Sequence, residues 1–273
     1  MSVDLIRSQP LVESSIAEPV GPIPRAPRRL THAQTAERLA LARWPANHHL
    51  YVCSVAGGTG RTTVAGLVAL TLAGLPYAEL HRPIVLGEFE YTPLSRARQR
   101  WGAQDSDTIQ VGNKGARISL ADNVFDPPEV RPLVVIDTPS GLLTTDRVTA
   151  AEASVSVVLL TRPDRTSLAE TAEALLWLQD NRGVARRRLT VLINEGTGIR
   201  DRGSRPAGPA LGIRCSSIHR LPAHAALGPG RVLRSHQEPA GVRRAVIGLC
   251  LDIYRSIQPA VSPTAPPKED SNA

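Results

Sequence analysis

Three glycines within four positions, Gly57, Gly58 and Gly60, separate the apolar run HLYVCSVA (49–56) from a second apolar run that begins RTTVAGLVAL at Arg61. The first run is short and reads as a buried strand, and the second reads as a helix, so the glycines mark a strand-to-helix turn. At such a turn successive backbone N–H groups converge at a helix N-terminus, an arrangement that favours phosphate. Arg61 follows, then the hydroxyls of Thr62 and Thr63. That is the order in which a phosphate loop supplies a cation for the outer phosphates and an oxygen for magnesium. Gly57, Gly58, Thr59, Gly60, Arg61, Thr62 and Thr63 therefore form the expected nucleotide-binding set. The standard pattern would have glycine at Val55 and lysine at Arg61, so the loop is a two-glycine variant.

The runs RPIVLGEF (82–89), PLVVIDT (132–138), ASVSVVLLT (153–161) and RLTVLIN (188–194) are continuous rather than alternating, as in strands covered on both faces. Helices are predicted over 30–44, where Thr31 is the N-cap, and over 62–75, 167–181 and 241–257. Strands and helices in alternation predict a doubly wound, mostly parallel α/β sheet. Residues 1–29 carry Pro10, Pro19, Pro22, Pro24 and Pro27, and the tail from Pro259 to Ala273 is similarly Pro-rich. Both read as disordered arms around one domain spanning 30–258.

With 273 residues, 42% of them apolar, the chain is long enough for a sizeable core. No stretch has the apolar length of a membrane span, and MSVDLIRSQPLVESS lacks a signal-peptide core, so a cytoplasmic location is expected. Cys53, Cys215 and Cys250 are too few and too scattered for a disulfide framework or a zinc site, and Cys53 and Cys250 read as buried thiols. The formal charge of +7 is almost wholly arginine, since Lys114 and Lys268 are the only lysines. Seven histidines show no ligand spacing, and His48 with His49 reads as a wet strand start.

Several segments in order resemble the MinD/ParA group of P-loop ATPases. The loop is similar to that family's KGGxGKT, VLGEFE (85–90) to its VLLVDxD strand, and VVIDTPSG (134–141) to its VIIDTPPG segment. SVSVVLLTRPDRTSLAETAEAL resembles the family's strand, T-x-P corner and helix, LTVLINEGTG its strand ending in Asn, and HRLPAHAAL its closing segment before a final helix. The resemblance covers about residues 48–257. It implies a P-loop NTPase fold, ATP and Mg2+ as cofactors, Thr62 and Asp137 as the magnesium-side pair, and Asn194 as a reader of the adenine edge. It also implies that Asp137 and the TPSG segment sense the third phosphate.

The departures from that pattern sit at the chemistry. Ala56 occupies the place of the lysine that crosses to a partner subunit's nucleotide, Arg61 that of the phosphate lysine, and Glu88 and Glu90 those of two aspartates. A guanidinium is a planar fork on a longer stem, so slow hydrolysis is expected. Each candidate also has a purely structural alternative. Asp137 suits a cap of the TPSG turn, Asn194 a turn before Gly196, and Glu88, a catalytic candidate with Asp137, the partner of a nearby arginine. Glu90 reads as solvated. Arg186, Arg187 and Arg188, with Arg200, Arg202 and Arg205, suit solvated surface, an acidic protein partner or nonspecific DNA. The expected function is a nucleotide-dependent switch acting on a partner, as a possible homodimer, in partitioning, positioning or secretion-associated regulation. The alternative is a scaffold that kept the fold and lost turnover; a synthase of the dethiobiotin or cobyrinate-amidating kind lacks any substrate-side motif.

Overall fold

A computed structural model of the protein describes residues 31–45, 48–75, 84–88, 96–101, 108–111, 116–121, 133–139, 141, 155–196, 211–228 and 238–258. All of these lie in one unit that begins at Thr31. The two Pro-rich arms, Glu90 and the arginines at 200, 202 and 205 lie outside the described residues.

The chain runs α1 (His32–Ala40), β1 (His48–Ser54), α2 (Arg61–Ala73), β2 (Ile84–Glu88), α3 (Arg96–Trp101), β3 (Thr108–Val111) and β4 (Ala116–Ala121). It continues through β5 (Leu133–Asp137), β6 (Val155–Thr161), α4 (Arg165–Arg182), β7 (Leu189–Asn194), β8 (Ser217–Leu221) and α5 (Ala240–Ile257). The strands form one sheet in the order β3-β4-β2-β5-β1-β6-β7-β8. Every pairing is parallel except β3 with β4, which is antiparallel at the sheet edge.

Alternation along each strand splits the core in two. Leu50 and Val52 of β1, Leu133 and Val135 of β5, and Val158 and Leu160 of β6 face α1, α2, α3 and α5. Tyr51 and Cys53, Val134 and Ile136, and Val157 and Leu159 pack toward α4. Both faces are covered, which is why these strands read as continuous apolar runs. Thr31 caps α1 in a capping box with Gln34, and Asp164 caps α4 by accepting from the Ser167 amide at 2.8 Å.

Edges explain what the sequence left unread. β8 (SIHRL) is largely half-buried and carries His219 and Arg220, so it presents no apolar run. His48 corrects another expectation. It is fully buried, at the start of β1 beside the Trp44 ring at 5.6 Å, rather than wet. Cys53, Cys215 and Cys250 are all buried and free. Among the described residues no helix is long and apolar enough to cross a membrane.

Candidate phosphate-binding site

The glycine loop follows the C-terminal end of β1, between β5 and β6, where open α/β sheets hold ligands. Ser54 Oγ donates to the Ala56 carbonyl at 2.7 Å as the chain leaves the strand. Gly58 (φ 69°) and Gly60 (φ 90°) are left-handed, a conformation that disfavours a side chain, and Gly60 is the N-cap of α2. Gly57 differs. Its φ is not positive, and a Cβ built there would meet nothing within 4 Å among the described residues, so these make no demand for glycine at 57. The first turn of α2 holds no acidic residue, which leaves the positive end of its dipole facing the loop.

Two bonds tie the start of α2 to the end of β5. Thr62 Oγ1 donates to Asp137 Oδ2 at 2.5 Å, and the Arg61 guanidinium donates through Nη1 to the carbonyl oxygen of Thr138. Arg61 and Asp137 are each only 8% exposed. Thr138 is fixed in turn to β1, since its amide and its hydroxyl both donate to the Val52 carbonyl, at 3.3 and 3.1 Å. The hydroxyl and carboxylate of Thr62 and Asp137 are hard oxygen donors of the kind that suit magnesium completed by phosphate oxygens and water. No cluster of three or more His, Cys, Asp or Glu able to hold a metal occurs among the described residues.

Glu88 ends β2 with its Cα in register with Asp137, so the backbone brings the two carboxylate-bearing positions to adjacent strand ends. Asn194, at the end of β7, donates through Nδ2 to the Thr59 carbonyl of the loop at 2.8 Å, and its Oδ1 accepts the Gly196 amide at 3.1 Å. The turn bond matches one reading of its sequence. Its bond to Thr59 had no sequence signal, because it joins positions 135 residues apart. Thr59 Oγ1 is buried with no hydrogen-bond partner among the described residues. Thr63 is half-buried in the first turn of α2. Behind the loop, burial pushes the Cys53 thiol up to about 12, against a smaller opposing pull from Thr138 and Arg61, so it is no nucleophile.

The arginine cluster lies at the opposite end of the strands. Arg186–Arg188 form a 3-10 turn immediately before β7. Arg186 donates to the carbonyls of Cys215 at 3.2 Å and Gly212 at 3.0 Å, and Arg188 to that of Val155 at 3.1 Å. Arg187 is exposed. The carboxylate nearest in sequence to the end of β7, Glu195, pairs with Arg220 at 3.2 Å.

No protein-family model matches the chain, and no curated protein matches it. Solved structures do. The MinC:MinD cell division complex of Aquifex aeolicus is 14% identical over 76% of this chain and 94% of that one, with a TM-score of 0.52. A nucleotide-binding protein of Archaeoglobus fulgidus in complex with ADP is 16% identical over 78% and 96%, with a TM-score of 0.48. A plasmid partition protein of Borrelia burgdorferi bound to AMPPNP is 10% identical over 76% and 98%, with a TM-score of 0.43. The strand order, the loop after the central strand and the likeness to the MinC:MinD structure together give the chain the fold of the MinD/ParA-type P-loop nucleotide-binding proteins.

Proposed function

We propose that the protein binds a purine nucleotide, ATP, with Mg2+ at residues 57–63, hydrolyses it slowly, and acts through a partner protein in the cytoplasm. The observation that carries this reading is the Thr62–Asp137 bond at 2.5 Å beside a loop whose Gly57 serves no need of the chain itself. A glycine with open space where its Cβ would lie allows a ligand close approach to the backbone. In this reading Thr62 and Asp137 hold the metal, Gly57 to Thr63 hold the phosphates, and Glu88 and Asp137 orient the attacking water. Asn194 serves the base side while it holds Thr59.

Slow turnover rests on Arg61. Phosphoryl transfer is accelerated by positioning and charge stabilisation, and a guanidinium engaged with Thr138 is a less compact point charge than an ammonium. The same contact favours the second reading, a non-hydrolysing scaffold. Nonspecific DNA contact falls chiefly to Arg187, because Arg186 and Arg188 already serve backbone carbonyls.

Calorimetric titration with ATP, with and without Mg2+, tests the proposal. Magnesium-dependent binding that weakens about tenfold or more in Gly57→Ala is expected, the scale of a disturbed charge-assisted hydrogen bond. Absence of binding at millimolar ATP rules it out. Turnover well below about 1 per second separates the slow switch from a vigorous ATPase.

A further inference from the structure

Arg61 and Thr62 are consecutive, and so are Asp137 and Thr138, yet the two bonds between these pairs differ in chemistry. Thr62 meets a carboxylate, whereas Arg61, a buried cation, meets the neutral carbonyl of Thr138. That carbonyl belongs to the residue at which β5 gives way to Pro139 and the left-handed Gly141 (φ 92°). The Thr138 amide and hydroxyl are already held by Val52, so the Arg61 bond adds a third restraint on Thr138.

We propose that Arg61 is a positioning residue that fixes Thr138, directly after Asp137, before any nucleotide binds, and that its arginine identity serves this strap as much as phosphate contact. The guanidinium presents five donors in a fixed fork, so a bond to Thr138 through Nη1 is compatible with a phosphate contact by the same group. An ammonium is a single point on a flexible stem and holds the two with less geometric definition. In this reading Thr138 is held by the chain's own arginine before a third phosphate is present. The inference rests on the nucleotide-binding reading only for the phosphate half of Arg61's task; the strap itself exists without ligand.

Backbone amide exchange of the peptide spanning 134–141, measured on the full chain, tests it with wild type, Arg61→Lys and Arg61→Met. Melting curves of all three establish that the variants are folded. In nucleotide-free protein the peptide should exchange about tenfold faster in both variants than in wild type, the scale of one charge-assisted hydrogen bond. Saturating ADP and AMPPNP with Mg2+ should slow wild-type exchange alike, to within about twofold of one another, since both stabilise the fold by mass action, and should protect the peptide further in Arg61→Lys, which retains a cation for phosphate. Equal nucleotide-free exchange in wild type and both variants overturns the strap. A large AMPPNP-specific change in wild type, absent with ADP, overturns the claim that Thr138 is held beforehand. Parallel calorimetry keeps the two ideas apart, because failure to bind nucleotide defeats the functional proposal while the nucleotide-free comparison still decides the strap.

Discussion

At residue scale the loop glycines separate into those whose backbone requires glycine and one, Gly57, whose backbone does not. Gly60→Ala places a Cβ on a left-handed backbone and should cost roughly 1–2 kcal/mol in urea unfolding. Gly57→Ala has open space and no such strain, so its stability should stay within about 0.5 kcal/mol of wild type while nucleotide affinity falls. Equal destabilisation by both would remove the argument from Gly57. His48 gives a pH dependence of known sign. Burial, then the nearby Arg188 charge and His49, lower its imidazole from 6.5 to about 3. The native state therefore binds fewer protons than the unfolded one, and stability falls as pH drops from about 6.5 towards 3, by roughly 1.4 kcal/mol per unit. Neither ring nitrogen has a hydrogen-bond partner among the described residues, so His48→Leu should be neutral or stabilising at pH 7 and should flatten that slope. Identical pH profiles for the two proteins would contradict this account of His48.

At the scale of elements, the central strands and their helices were legible because each is a continuous apolar run bounded by turn residues. β1, β5, β6 and β7 are buried along almost their whole length, and that burial is what their composition encodes. The edge strands β3 and β8, and β4 next to β3, were not legible, since TIQV, ARISLA and SIHRL mix polar with apolar side chains and form no continuous apolar run. The same division holds at the site. The glycine loop and Asp137 stand out locally, whereas the Asn194–Thr59 and Arg61–Thr138 bonds join distant residues and leave no local trace. A further contact of this kind fixes α2, for a Cβ at Gly66 would overlap the Trp101 ring of α3. Gly66→Ala should cost about 1–3 kcal/mol in denaturant unfolding through that overlap, with part recovered by adding Trp101→Leu. A Gly66→Ala protein as stable as wild type would mean that α3 does not press on the nucleotide-loop helix.

At the scale of the whole molecule, the absence of a lysine at Ala56 bears on assembly. Any ATP-dependent dimer must form without that crossing contact, so wild type should sediment alike with and without ATP, and Ala56→Lys should add nucleotide dependence. A strong ATP-dependent wild-type dimer, unchanged by the substitution, would assign the crossing to another residue. The fold, the loop and the Thr62–Asp137 bond all support the proposal that this sheet holds a nucleotide with magnesium. Thermal unfolding of the full chain in millimolar ATP with Mg2+ tests that claim most directly. A ligand at a hundredfold excess over its dissociation constant stabilises the folded state by about 2.7 kcal/mol, which for a chain of this size is a rise of roughly 5–10 °C in Tm. The account predicts that rise, about halved in Gly57→Ala and reduced when Mg2+ is withheld. An unmoved midpoint at millimolar ATP and Mg2+ would contradict it.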